Sequence, residues 1–310
     1  MRKDLINLLI FFLTTSCTQE VNMPFPTFQE ELVLNSILHP DSLIKLSLTK
    51  SLPLGSTTQN FPVVSSAEMR LYENDILIGE PTFQDSLYTL NYYPQSNKKY
   101  SIEVEVSGFP TLRASDVVPA RPIADLCYQD DPVLRTAINI NIVDDTAVVN
   151  SYWLGATLLN SQNRVCEDGT TCNVNQPHFR SFSSLPDRFN AYIDAISGGI
   201  TEYRFFVRIE DTGLEGDVIA LAVESFFVTD NLPSDRTYQF DVHNASRHYD
   251  RFLKSGILYA INQENYSFEE DGAFTPFSEV IQTYSNVENG TGIFASYNSA
   301  SFAVEDHPCE

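Results

Sequence analysis

The sequence predicts a mainly β protein, built as two successive antiparallel β units with one helix in the second. Three observations carry this reading. Among the aromatic residues Phe (21) and Tyr (15) dominate over a single Trp, and with Val, Ile and Thr they favour strands. Short alternating runs recur with turn signals about every ten residues, the pattern of β-sandwiches. A single stretch, near 245–263, breaks that pattern with helical spacing. The length of 310 residues suggests two domains at about 150 residues each.

Taken in order, EELVLNSIL is the first strand signal. In LIKLSLTKS, Ile44, Leu46 and Leu48 alternate with Lys45 and Ser47, so one face is apolar. SSAEMRLYENDILIGEPTF holds two runs around Glu73-Asn74-Asp75, a turn candidate, and SLYTLNYYP follows as another strand. KKYSIEVEVSGFPTLRASDVV reads as a long hairpin. Tyr100, Ile102, Val104 and Val106 face one side, and Ser107-Gly108 makes the turn. These runs define a sandwich unit over 30–120.

Pro119 and Pro122 mark the passage into a second β-rich unit, 121–310. RTAININIVDD, NSYWLGATLL, YRFFVRIED, DVIALAVESFF, EVIQTYSN and GIFASYNSASFAV are its strand signals. Tyr203, Phe205, Val207 and Ile209 alternate with Arg204, Arg208 and Glu210, as in a half-solvated antiparallel strand. In NASRHYDRFLKSGILYAINQE, Tyr249, Phe252, Leu253, Ile257, Tyr259 and Ala260 recur at helical spacing, and Asn244 or Ser246 is placed to cap the helix.

The first seventeen residues, MRKDLINLLIFFLTTSC, have the layout of a secretory leader. Arg2 and Lys3 precede an apolar run from Leu5 to Leu13 interrupted only by Asn7; Thr14, Thr15, Ser16 and then Cys17 follow. The run is far short of the roughly 20 residues that span a bilayer as a helix. A Cys directly after small residues resembles a bacterial lipobox, in which the thiol receives a diacylglycerol. Leu13 stands four before Cys17 rather than three, so the box is of a relaxed kind. One acyl chain binds a membrane only marginally, so a multiply acylated Cys17, palmitate included, is expected. Residues 18–29, with Pro24 and Pro26, read as a polar tether.

Removing Cys17 from five cysteines leaves Cys127, Cys166, Cys172 and Cys309. An even number in an exported chain suggests two disulfides, with three possible pairings. Cys166 and Cys172 bracket EDGTT, whose Asp168-Gly169 is a turn signal, which favours a hairpin-tip bridge and leaves Cys127 for Cys309. A zinc site is the alternative, but C-x2-C spacing is absent.

The formal charge of −22 repels nucleic-acid phosphates, so no nucleic-acid partner is expected. No catalytic or cofactor signature was found. SNVENGTGIFASYN lacks the Lys and the following helix of a P-loop; Asn289-Gly290 suits a tight turn and Gly292 a bulge. The five histidines do not converge: His243 and His248, five apart, share neither a helix face nor a strand face. Acidic pairs at Asp130-Asp131, Asp144-Asp145, Glu210-Asp211 and Glu269-Glu270-Asp271 are possible Ca²⁺ oxygen donors, though none follows the D-x-D-x-D-G loop. Tyr92, Tyr93, Tyr128, Tyr152 and Trp153 would serve either as a sugar-stacking platform or, in the plainer reading, as core.

The lipobox-like Cys17, the early ELVLNSIL, SSAEMRLYENDILIGE and YSIEVEVSGFPTLRASDVVP together resemble the Bacteroidota lipoproteins of the domain of unknown function 4249. The most specific part is RHYDRFLKSGILYA followed by FSEVIQTYSNVENGTGIFASYNS, similar to a tyrosine-rich helix and a "SNIENGLGIF"-like ending in that family. Val287 stands where Ile is commoner, and Thr291 where an apolar residue is usual. The resemblance spans the mature chain and implies an immunoglobulin-like or transthyretin-like sandwich at the N-terminal end. It also implies an outer-membrane lipoprotein, on the periplasmic or cell-surface face, with a TonB-dependent receptor as the partner in nutrient uptake. No catalytic residue is carried over, so a non-enzymatic binding role without cofactor or metal is expected. An envelope carbohydrate-binding protein or hydrolase is the alternative.

Overall fold

The computed structural model describes residues 28–53, 56, 60–131, 135–144, 149–158, 164–165, 171–172, 178–181, 207–210, 218–226, 238–267, 282–303 and 309. In chain order the strands are β1 (Leu32–Leu38), β2 (Ile44–Lys50), β3 (Glu68–Glu73), β4 (Ile76–Gly79), β5 (Thr82–Gln84), β6 (Leu87–Leu90), β7 (Lys99–Glu105) and β8 (Leu112–Val117). There follow β9 (Ile123–Asp131), β10 (Arg135–Val143), β11 (Ser151–Leu158), β12 (Arg164–Val165), β13 (Thr171–Cys172), β14 (His178–Ser181), β15 (Val207–Glu210), β16 (Val218–Phe226) and β17 (Tyr238–Ala245). The one helix among the described residues, α1 (Arg247–Ser267), precedes the last strand, β18 (Thr291–Ala303). The fold is mainly β, as expected.

The local signals explain the hairpins. β3 and β4 join through Asn74 and Asp75, both at positive φ (48° and 66°), the conformation that matches strand twist in two-residue turns. Asp85 and Ser86 do the same between β5 and β6. Gly108, at φ 86°, lies in the turn of the β7–β8 hairpin. At α1, Ser246 accepts the Tyr249 backbone N–H on its Oγ at 3.1 Å, so Ser246 rather than Asn244 is the cap.

An eight-stranded sheet, in the order β15-β11-β17-β18-β1-β2-β6-β5, forms the spine. Two four-stranded sheets, β4-β3-β7-β8 and β14-β16-β10-β9, each share a core with part of it. In the first core Leu34, Leu46, Leu48 and Phe294 meet Leu71, Tyr100, Ile102 and Leu112. In the second, Tyr152, Leu154, Phe240 and Val242 meet Ile138, Ile140, Ile142 and Ile219, with Phe302 packed against them. β18 therefore serves both cores. Thirteen residues at about 3.3 Å each give it roughly 40 Å, and Phe294 and Phe302, eight apart, point to the same side.

The passage near residue 120 lies between these cores. Asn298 donates from Nδ2 to the Pro119 carbonyl at 3.1 Å, and Asn244 donates to the Ala120 carbonyl at 3.1 Å. The spine crosses this boundary. β18 pairs with β1 in parallel, Leu34 opposite Gly292, while β17 pairs with β18 antiparallel. The spine thus departs from a purely antiparallel plan, because the chain's end returns beside its beginning.

β9, β14 and β17 escaped the sequence reading. β9 was masked by the flanking prolines, and β17 (YQFDVHNA) by its polar alternate residues. Conversely, EVIQTYSN forms no strand where it is described, since 282–287 lies outside every ladder. Arg208 also departs from expectation. It is buried (8% exposed) rather than solvated, because α1 reaches across it.

Candidate functional site

α1 packs against β17 and β18, on the side of β18 carrying Tyr297. Asp250, in its first turn, is the anchor. Its Oδ1 accepts from Arg208 Nε at 2.6 Å and Trp153 Nε1 at 3.0 Å, and its Oδ2 from Arg208 Nη2 at 3.0 Å. Lys254 Nζ lies 2.9 Å from the same Oδ2, one helical turn on. Burial by itself would raise the Asp250 pKa, but the hydrogen bonds and charges of Arg208 and Lys254 outweigh it and hold the carboxyl below its ordinary value. The arrangement is structural: a bidentate fork locks the helix to the sheet.

Beside it is a layer of imidazoles and phenols. The Tyr297 ring stacks on Tyr249 at 5.1 Å and meets His39 at 4.6 Å and His243 at 5.0 Å. The Asp41 backbone N–H donates to His39 Nδ1 at 3.2 Å, so His39 carries its proton on Nε2, 2.9 Å from Ser299 Oγ. Burial lowers the His39 pKa, against Asp41 and with Arg121. Burial also lowers that of His243, helped by His39 and opposed by Asp241. Burial pushes the Tyr249 hydroxyl up to about 12. His243 Nδ1 is buried without a hydrogen-bond partner.

A groove of about 590 Å³ opens where the β7–β8 sheet meets the residues flanking β18. Its floor is the outer face of that sheet, with Tyr72, Ser101, Glu103, Arg113 and Ser115; His248, Asn286 and Glu288 form the far wall. Arg113 Nε donates to Glu103 Oε1 at 3.0 Å, and the Tyr72 hydroxyl to Glu103 Oε2 at 3.2 Å. The Arg113 hydrogen bond is the chief reason the Glu103 pKa falls below its usual value. His248 Nδ1 lies 2.7 Å from the Tyr284 hydroxyl, their rings stacked. The far wall is fixed by hydrogen bonds to the main chain: Glu288 N–H donates to the Arg113 carbonyl at 2.8 Å, and the Asn286 side chain donates from Nδ2 to the Phe294 carbonyl and accepts the Phe294 N–H on Oδ1.

The residues singled out by sequence fall in different places. Cys17 and the leader lie outside the described residues, as do Cys166 and the acids at 145, 211 and 269–271. Cys127 and Cys309 form a disulfide, with Cα atoms 4.8 Å apart, tying the chain end to β9. Cys172 lies in β13, opposite Arg164. Asp144 is buried and accepts from Tyr152 and Asn150. Glu210 pairs with Arg208 at 3.4 Å. Among the described residues no three His, Cys, Asp or Glu side chains are grouped to hold a metal.

The aromatic residues do not share a face: Tyr152 and Trp153 are buried, Tyr92 donates to Glu73 at 2.6 Å, and Tyr93 is exposed. The side chain of Tyr128 lies outside the description. His243 and His248 diverge, one toward Tyr297 and one toward Tyr284. Sequence reasoning missed His39, Tyr297 and the groove residues. Alternation in YSIEVEV did mark Ser101 and Glu103 as outward, but not what lay beside them.

Residues 18–303 match the family described as "Domain of unknown function (DUF4249)". The chain belongs to this family. No curated protein matches it. Among solved structures, this DUF4249 chain is aligned with one titled "Putative membrane anchored protein from Corynebacterium diphtheriae", at 11% identity and a TM-score of 0.19. The alignment covers 69% of this chain and 54% of that one, so it spans about half of that protein's length. At that score the likeness carries no argument about the DUF4249 fold.

Proposed function

We propose that this DUF4249 protein is a Bacteroidota outer-membrane lipoprotein, anchored through lipid on Cys17, that works by binding rather than by catalysis. Its partner in this reading is a TonB-dependent receptor engaged in nutrient uptake. The observation that carries it is positional. The family match begins at residue 18, directly after Cys17, so the basic, apolar and small-residue leader stands apart from the family body and ends on the residue that would be acylated. The resemblance of the motifs to lipoproteins of that phylum supplies the receptor.

A second reading, an envelope carbohydrate-binding protein or hydrolase, draws support from the groove. Its binding half is the better supported. A glycosidase needs a carboxylic acid with a raised pKa, whereas Glu103, on the groove floor, is held low by Arg113.

The test is to express the native protein and a Cys17→Ala variant in a related bacterium, fractionate the membranes, and identify what co-purifies. A native form in the outer membrane that brings down a TonB-dependent receptor, with a released variant that does not, is the expected result. A native form that is anchored but solitary removes the receptor, and one that is not membrane-bound overturns the anchor.

A further inference from the structure

We infer that the groove between the β7–β8 sheet and the wall formed by His248, Asn286 and Glu288 binds a neutral, hydroxyl-rich ligand, an oligosaccharide. The inference rests on reading the protein as a binding protein, but not on its anchor or receptor. At about 590 Å³ the groove falls within the roughly 300–1,000 Å³ of small-molecule sites.

The lining decides the ligand class. Of its charged groups, Arg113 is bound to Glu103 and Lys99 to Asp75, and Glu288 adds a single further carboxylate, so the groove offers no cluster of charges of one sign to hold an anion or a cation. The total charge of −22 further disfavours anionic ligands. An apolar ligand would have to strip water from these pairs without replacing its hydrogen bonds. A hydroxylated ligand can replace them. The carboxylate of Glu103 and the guanidinium of Arg113, with the hydroxyls of Tyr72, Ser101 and Ser115, offer donors and acceptors on the floor, and Glu288 offers an acceptor from the wall.

A peptide adding as a strand is disfavoured by the backbone. The edge of β8 beside the groove is already occupied: Glu288 bridges Arg113 from both its N–H and its carbonyl, and Asn289 Nδ2 donates to the Thr111 carbonyl at 2.9 Å. The groove therefore presents side chains and not a free ladder.

The purified full chain would be applied to a printed panel of neutral gluco-, manno- and N-acetylhexosamine oligosaccharides, from di- to hexasaccharide, with uronic-acid oligomers and extended peptides alongside. Hits would be measured by titration calorimetry. Expected is binding of a neutral set that weakens at least tenfold in Arg113→Ala and in Ser101→Trp, which fills the floor. A Glu30→Gln control, outside the groove, should bind as the native protein does. Circular dichroism confirms folding of each variant. Binding of uronates or peptides only, unchanged binding in both groove variants, or no binding at millimolar concentration overturns the inference. Co-purification with a receptor is read separately, so the groove can fail while the companion role stands.

Discussion

A Cβ on Gly292 would stand 2.0 Å from the carbonyl oxygen of Leu34, so the last strand meets the first with room for a hydrogen atom but not for a methyl group. Gly292 also has φ 112°, which L-residues rarely adopt. Gly292→Ala is therefore expected to destabilise the fold by roughly 3 kcal/mol or more, from backbone strain and displacement of β18 together. Gly108→Ala, at φ 86° with nothing near its Cβ, should cost only about 1–2 kcal/mol. Urea unfolding of the two variants measures the contrast; equal losses would refute the close-approach argument.

The anchor of α1 gives a second expectation. Asp250→Ala leaves Arg208, only 8% exposed, without its bidentate partner, and breaking a buried pair in this way costs about 3–5 kcal/mol. Removing both charges together, as Arg208→Met with Asp250→Leu, should cost clearly less than the sum of the single losses. A double-mutant cycle in urea reads the coupling, and additive losses would show that the pair does not act as a unit.

The Cys127–Cys309 disulfide closes a separation of 182 residues. In the chain-entropy account a loop of that length is worth roughly 5 kcal/mol. Cys127→Ser and Cys309→Ser should each lower the thermal midpoint by the same amount, and the double variant should fall no further.

The imidazoles around Tyr297 make stability depend on pH. Burial lowers the pKa of both His39 and His243 below the unfolded value of about 6.5. The unfolded chain then takes up protons first. Their contribution is fully present above about pH 6.5 and is lost as the pH falls through the folded-state values. Asp41, Asp241 and Arg121 surround the pair, and Asp250 lies on the neighbouring helix; Asp250, with its lowered pKa, adds its own loss only near and below the ordinary carboxylate range. Urea midpoints should therefore drop between pH 7 and 5, and the His39→Gln/His243→Gln variant should show a flatter profile. An identical slope in that variant would place the titration elsewhere.

Much of the local structure was legible because its causes are local. Alternation in IKLSLTK and YSIEVE sets which side chains are buried, and a two-residue turn at Asn74-Asp75 needs only residues that tolerate positive φ. The helix announced itself by spacing and by Ser246. The groove was not legible. Arg113 and Glu103 lie on one hairpin, but their far wall is brought there by α1, which carries His248, and by the segment 286–288 that leads into β18.

The sequence by itself determined the β-rich class, the hairpins, the helix after Ser246 and the polar or apolar face of most described strands, since each follows from residues within a few positions of one another. Only the tertiary structure decided that β18 lies parallel to β1 and antiparallel to β17, joining two cores in one sheet. It likewise decided that Arg208 is covered and that His39 and His243 flank Tyr297. Strand partners more than 250 residues apart are chosen by register and by the whole set of buried faces at once, and no short window of sequence contains that information.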